Sequence, residues 1–220
     1  MLFAAKGILY KKAQKAYSDQ LTRLLAESFA DEPMTLLLKI SLKDRINIFN
    51  QFVPHFLSEG HTIVAASEEN PDEIIGTCVC TDYKSEYPPY LNASNCFAPI
   101  FSILEEIQRK YEEKRPNLKL GEALRSQYTA VSPLEKYRHR GIASNLNRLA
   151  LEHAVNSGFK LMVADATGEY SRKSFEKSGF SVRAELLYKD FIFENERPFK
   201  DIAPPHNKIV FVEKVISHSQ

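Results

Sequence analysis

Two arginines, a glycine and an alanine stand close together in Arg138-His139-Arg140-Gly141-Ile142-Ala143, between an alternating apolar run that ends at Val131 and a stretch with helical periodicity. These residue types at this spacing suit the binding of a phosphate. A helix that opens at a glycine turns free N–H groups and the positive end of its dipole toward one small volume. Guanidinium groups add fixed charge in a fork that matches phosphate oxygens. Taken alone, the same residues also describe an ordinary helix start with solvated basic side chains.

The elements that must position this loop follow from periodicity. Gly7–Lys12 reads as a first strand. Leu21, Leu24, Leu25 and Phe29 recur at helical spacing over about 17–30, with Ser18 or Asp19 as cap, and Asp31-Glu32-Pro33 ends that helix. A second helix is expected over 43–57. Strands at 61–67 and 73–82, joined by Glu68-Glu69-Asn70-Pro71-Asp72, form a hairpin. An irregular insert, about 83–116, carries Tyr83, Tyr87, Tyr90 and the Pro88-Pro89 pair, and includes a helix over 98–114. A strand then runs to Val131 and a helix spans 141–157. A strand at 160–166, a short helix at 170–177 and strands at 180–193 and 208–215 complete the chain. This order gives an α/β domain with one mixed sheet of about seven strands.

Composition bounds the function. In 220 residues, 44% are hydrophobic and 26% charged, which suits one domain with a substantial core. A net charge of +1 provides no general attraction for nucleic acid or an anionic membrane, so affinity for phosphate must be local. No apolar run approaches a membrane span, and the first residues lack the plan of a signal peptide. Cys78, Cys80 and Cys96 show neither disulfide nor zinc spacing and read as reduced thiols, which points to the cytoplasm. His55, His61, His153, His206 and His218 have no metal spacing, and no metal is expected.

Features around the loop favour the phosphate reading. Ser132-Pro133 interrupts the strand before it, so that neighbouring strands splay there. The next strand follows after one helix, and Phe175-Glu176-Lys177-Ser178-Gly179-Phe180 closes a short helix with Gly-Phe before another strand. With these, Arg-x-x-Gly-x-Ala resembles the coenzyme A pyrophosphate loop of the GNAT superfamily of acyl-CoA N-acetyltransferases. The resemblance implies a single GNAT-like domain over 1–220, with a mostly antiparallel sheet flanked by helices and splayed at the strand before the loop. It implies acetyl-CoA as co-substrate. The N–H groups of Arg138, His139, Arg140, Gly141, Ile142 and Ala143, with the Ser144 hydroxyl, would hold the pyrophosphate. The strand edge at Thr129 and Val131 would pair with the peptide-like pantetheine arm, and the Val131 N–H would stabilise the oxyanion. One departure stands out: Phe175 occupies the place where many members of the superfamily carry a tyrosine that protonates the leaving thiolate.

Acetyl transfer to an amine needs a base, because an ammonium has no lone pair. Glu32, at the end of the first helix and followed by Pro33, is the candidate; the other reading is a solvated helix end. Phe29-Ala30-Asp31-Glu32-Pro33 resembles a segment of the insect-type arylalkylamine (dopamine-type) N-acetyltransferases in which the glutamate is the general base. Thr167 and Ser171, four apart, match two hydroxyl residues tied to catalysis in that subfamily. Ser171 would protonate the thiolate in place of Phe175, or simply cap its helix. Tyr83, Tyr87, Tyr90 and Phe97 are candidates for an aromatic wall around the amine, or for cover over the core. Asp82, Glu86 and Glu32 would attract a cationic acceptor. The expected function is acetyl transfer to a small primary amine of aralkylamine type by direct attack in a ternary complex. The alternatives are a polyamine or protein acceptor, or a non-catalytic acyl-CoA sensor. The expected partner is the amine, with no nucleic acid or membrane, and the chain is expected to act as a monomer or homodimer.

Overall fold

The computed structural model describes residues 1–86, 95–137 and 139–216. The chain opens with a tight hairpin, β1 (Phe3–Ala5) and β2 (Ile8–Lys12), turned through Lys6 and Gly7, both at positive φ. Three helices follow: α1 (Ser18–Ser28), α2 (Pro33–Leu37) and α3 (Leu42–Ser58). The Ser41 hydroxyl starts α3 by accepting the Asp44 N–H at 3.1 Å. β3 (Ile63–Ser67) and β4 (Ile74–Asp82) pair as the expected hairpin, and every residue of both is buried. That burial explains their near-continuous apolar sequence. α4 (Ala98–Glu112) buries Ile100, Ile103, Ile107 and Tyr111. Then come β5 (Ala123–Val131), α5 (Ile142–Asn156), β6 (Leu161–Ala166), α6 (Glu169–Lys177), β7 (Ser181–Leu187) and β8 (Lys208–Val215).

The strands form one open sheet in the order β1-β2-β3-β4-β5-β6-β8-β7, with β5 and β6 parallel and all other neighbours antiparallel. There are eight strands, not seven: β1 is three residues long, too short to show an alternating pattern. The expected strand over 180–193 stops at Leu187, where Tyr188–Asp190 turn as a 3₁₀ segment. One apolar layer packs α1, α3 and α4 on one face of the sheet, and a second packs α5 and α6 on the other.

The far edge of the sheet is held by a buried carboxylate. Glu213 on β8 is 1% exposed and accepts hydrogen bonds from the Tyr111 hydroxyl (2.7 Å), Arg115 (2.9 and 2.5 Å) and Arg183 (3.1 Å). Burial alone would raise its pKa, but the hydrogen bonds from Arg115 and Tyr111 and the nearby guanidinium charges outweigh it and hold the carboxyl below the ordinary range. A depressed carboxyl contributes stability above its unfolded pKa, about 4.3, and loses it as pH falls through the folded value. Glu213→Gln is expected to cost about 2 kcal/mol at neutral pH. In thermal unfolding at a series of pH values, its deficit against wild type should shrink from about pH 5 to about pH 3. A deficit independent of pH would contradict this account.

Candidate active site

The central sheet divides between β5 and β6. β5 pairs with β4 along its whole length, from Leu124 opposite Asp82 to Val131 opposite Gly76. With β6 it pairs only over Ala123–Ser126, opposite Leu161–Ala164. β6 continues to Ala166 on its other partner, β8. A gap therefore opens beyond Ser126 and Ala164. Its cause lies in β5: the register with β4 passes from Val79–Tyr128 to Cys80–Ser126, leaving Gln127 unmatched. An extra residue of this kind bends a strand and sharpens its twist. The splay thus begins at this bulge, several residues before Ser132-Pro133. The Ser132 N–H donates to the Ile75 carbonyl at 2.8 Å, toward β4. Because backbone groups alternate sides along a strand, those of Val131 and Thr129 face the gap.

A cavity of about 320 Å³ occupies this gap. Ala143 and Asn147 of α5 and Ser171 and Phe175 of α6 line one end; Phe49 and Phe52 of α3 and Phe101 and Leu104 of α4 line the other. These helix pairs lie on opposite faces of the sheet, so the cavity passes through it. Thr129, Asp165 and Thr167 line the passage. Two molecules can thus approach one point from opposite sides.

Glu32 lines the cavity as the N-cap of α2, with Pro33 at the first helical position. Its Oε2 accepts the Thr35 N–H at 2.8 Å, which fixes the carboxylate. Its Oε1 is buried without a hydrogen-bond partner among the described residues. Two side chains hold this corner. Arg45 donates to the carbonyls of Ala26 (2.7 Å) and Ile40 (2.5 Å), stapling α3 to the end of α1 and the turn after α2. Ser28 Oγ donates to the Val131 carbonyl at 3.1 Å, which brings the end of α1 to the gap. Gly168 marks where α6 meets the same corner: a Cβ there would lie 3.2 Å from His206 Nδ1 and 3.8 Å from Pro33 Cγ. Tyr188 donates to the Thr167 carbonyl at 2.5 Å; burial, and to a lesser degree the charge of Glu32, push its phenol far up, so it stays protonated.

The hydroxyl of Ser171 caps α6, donating to the Gly168 carbonyl (2.8 Å) and accepting the Gly168 N–H (3.3 Å). In the basic loop, Gly141 is the N-cap of α5 at φ +75, with no side-chain cap, so the first N–H groups of α5 at Ile142, Ala143 and Ser144 lack helical acceptors. Ile142 is a core anchor, while Ala143 lines the cavity and Ser144 is exposed. Arg140 donates to the Lys6 carbonyl in the β1–β2 turn, His139 has φ 56, and Arg138 lies outside the described residues.

Of the candidate aromatic wall, Phe97 lines the cavity; the rest is built differently from the expectation. Tyr83 packs in the core against Tyr111 and Phe211, each 5.7 Å away, and does not line the cavity. Tyr87 and Tyr90 lie outside the described residues. Phenylalanines of α3 and α4 supply the wall instead; in sequence they read as core residues of amphipathic helices, because helical periodicity does not tell a core face from a cavity face. Asp82 is engaged with the N–H groups of Lys84 (2.9 Å) and Gly121 (2.5 Å) and lies away from the cavity.

Sequence reasoning also passed over three groups. Asn147 Oδ1 accepts the Thr129 hydroxyl at 2.7 Å and ties α5 to β5 across the gap. His206 Nδ1 accepts the Glu169 N–H at 3.1 Å beside Gly168. Arg125 and Asp165 form a buried ion pair within the cavity lining. The one available signal was a charged residue inside each of two apolar strands.

No family model matches the chain, and no curated protein matches it in sequence. Solved structures do. The C-terminal condensation domain of Ebony, in complex with beta-alanyl-dopamine, matches 98% of this chain and 100% of its own with a TM-score of 0.85 at 16% identity. Arylalkylamine N-acetyltransferase 2 from Aedes aegypti matches 96% and 100% with a TM-score of 0.77 at 23% identity. A polyamine N-acetyltransferase of Drosophila melanogaster matches 95% and 100% with a TM-score of 0.70 at 18% identity. A likeness of this extent at such identity establishes architecture: the chain has the fold of the GNAT N-acetyltransferases.

Proposed function

We propose that this protein is an acetyl-CoA-dependent N-acetyltransferase acting on a small primary amine of aralkylamine type. The observation that carries the reading is the cavity through the split sheet, lined by Glu32, one of whose carboxylate oxygens has no hydrogen-bond partner among the described residues. The diphosphate of acetyl-CoA would lie against the free N–H groups at the start of α5, and its pantetheine arm along Thr129 and Val131, where β6 has left the edge of β5 open. The amine enters from the α3–α4 side. Glu32 Oε1 takes the proton from the ammonium, and the freed nitrogen attacks the thioester carbonyl. The Val131 N–H stabilises the oxyanion as it forms. That attack forms the C–N bond; as the tetrahedral intermediate collapses, the C–S bond breaks, the nitrogen loses its second proton and the thiolate gains one. Phe175 cannot pass a proton, so Ser171, with Thr167 beside it, relays this one from nitrogen to sulfur once its hydroxyl turns from the Gly168 carbonyl, and regains its own proton in the same step. Phe175 also favours a second reading, a non-catalytic acyl-CoA sensor. Coenzyme A release measured with a panel of amines separates the two.

No helix among the described residues is long and apolar enough to cross a membrane. Cys78 and Cys80, with sulfurs 3.6 Å apart, are free thiols, which supports a reducing compartment, the cytosol.

Glu32→Gln keeps an acceptor for the Thr35 N–H and removes the base. It should lower turnover by about 10²- to 10⁴-fold with acetyl-CoA affinity nearly intact. Equal loss of both would make Glu32 a structural cap. Gly141→Val places a Cβ in space where no protein atom lies within 4 Å, at a φ that a β-branched residue resists. Acetyl-CoA binding by calorimetry should disappear; unchanged affinity would refute the placement of the diphosphate.

A further inference from the structure

Two half-buried histidines, neither of them in the cavity lining, face each other beside α5. His61 lies in the turn between α3 and β3, and His153 in the last turn of α5. His61 Nδ1 and His153 Nε2 are 2.9 Å apart, and Phe159 meets the His61 ring edge-on with centres 5.3 Å apart. A hydrogen bond between two imidazoles needs one nitrogen that carries a proton and one that does not. Two neutral rings satisfy this. Protonation of both would set two N–H groups against each other and break the contact.

The charges around the pair come from three elements. Lys12, at the end of β2, acts on both rings and opposes a proton on either. Glu59, at the end of α3, and Asp82, at the end of β4, act on His61 in the other sense. Both carboxylates are already engaged: Glu59 accepts the Asp82 N–H (2.7 Å) and the Ser85 hydroxyl (2.6 Å) and pairs with His55 (3.0 Å), and Asp82 accepts the N–H groups of Lys84 and Gly121. Burial outweighs them and holds the His61 pKa below the ordinary histidine value. His153 goes further, down to about 4, through burial first and then the charges of Lys12 and His61. The C-terminal end of α5 by itself would favour a cation, so burial and Lys12 prevail over the helix dipole.

The pair sits where the helix has little else to hold it. Beyond Leu149 the buried residues of α5 are Ala150 and Ala154, whose small side chains remove little apolar area from water, and Val155 is exposed. His153 follows Ile142 by eleven residues, about 16 Å along the axis, so the pair fastens the end of α5 opposite the glycine loop. We propose that His61 and His153 form an acid-sensitive latch: neutral, they tie the tail of α5 to the turn before β3, and protonation as the pH falls below neutrality releases that tail. The latch is independent of the reaction that the cavity supports.

Between about pH 6.5, the ordinary histidine value, and about 4, the folded chain binds fewer protons at this pair than the unfolded one, so stability falls as the pH drops through that interval. Carboxylates held below their ordinary range, Glu213 among them, lose their contribution only below about pH 5. Urea unfolding at about pH 7 and about pH 5 therefore isolates the histidines. In wild type the unfolding equilibrium constant should rise at least about tenfold between the two conditions. In the double variant His61→Gln/His153→Gln neither side chain takes up a proton, and two amides can still pair; there the change should be about threefold or less. An equal rise in both proteins, or none in wild type, would overturn the latch. Amide hydrogen exchange in wild type, corrected for its intrinsic pH dependence, reads the release itself. On the same change of pH, protection in the last turn of α5 should fall at least about tenfold more than in its first half. A uniform loss along the helix would overturn the proposal. Should the double variant fail to fold, the exchange pattern and an NMR titration of wild type decide, since the latch requires a histidine that titrates well below about 5, and midpoints near 6.5 for every histidine would exclude it.

Discussion

The departure of β5 from β6 after four paired residues is the constraint on which the rest of this molecule depends. A continuous ladder there would bury the backbone groups of Thr129 and Val131 in hydrogen bonds and close the passage between the two faces. A sheet open at an edge would expose the same groups to water. A sheet opened in its interior does neither: it frees main-chain groups from the ladder between two packed layers, where Ser28 takes up the Val131 carbonyl and a peptide-like ligand can satisfy others. The price of the opening is limited because β4 still pairs with β5, and β8 with β6, so each bank of the gap is anchored on its far side.

Helices on both faces then convert an opening into a site. α5 meets the gap with its N-terminus, free N–H groups first, and Asn147 fastens it to Thr129. On the other face, the turn from α1 into α2 delivers Glu32, and Arg45 and Ser28 fix that turn to α3 and to β5. The carboxylate is held through one oxygen, while the other is buried with no hydrogen-bond partner among the described residues. Fixing one oxygen limits the motion of the carboxylate without consuming the lone pairs of the other. Asp165, also in the cavity lining, is held by Arg125.

Much of this was legible in the chain. The hairpin β3–β4, the order strand–helix–strand around the basic loop and the last strand over 208–215 all announced themselves through periodicity and turn residues, because each buries a regular face. The gap was legible as a consequence of Ser132-Pro133, but its origin at Gln127 was not: a bulge is set by how two strands pair, and residue types along one strand do not show it. The wall of the chamber was equally hidden. Phe49, Phe52 and Phe101 recur at core positions of their helices, and they become wall only because the sheet has parted beneath them. Tyr83 misled for the opposite reason. An aromatic in an irregular segment resembles a binding residue, yet this one packs on Tyr111 and Phe211. The charged pair carried the plainest unheeded signal: Arg125 and Asp165 interrupt apolar strands, and a charge in such a place requires a partner.

The low identity to structures of the same fold has a physical counterpart in this design. Where a site binds through main-chain N–H groups, a strand edge and a helix start, the side chains at those positions are freed from contact with the ligand. Ile142 shows the separation most clearly: its side chain is buried in the α5 layer while its N–H faces the loop. What such a site requires is conformation. It needs a residue that tolerates φ +75 at Gly141, little bulk at Ala143 and an unmatched residue at Gln127. Each requirement falls on a single position and leaves its neighbours free to vary, which is compatible with a likeness of fold at 16–23% identity. Side chains are constrained most where chemistry needs a particular atom, and in the proposed reaction that atom is the unpartnered oxygen of Glu32.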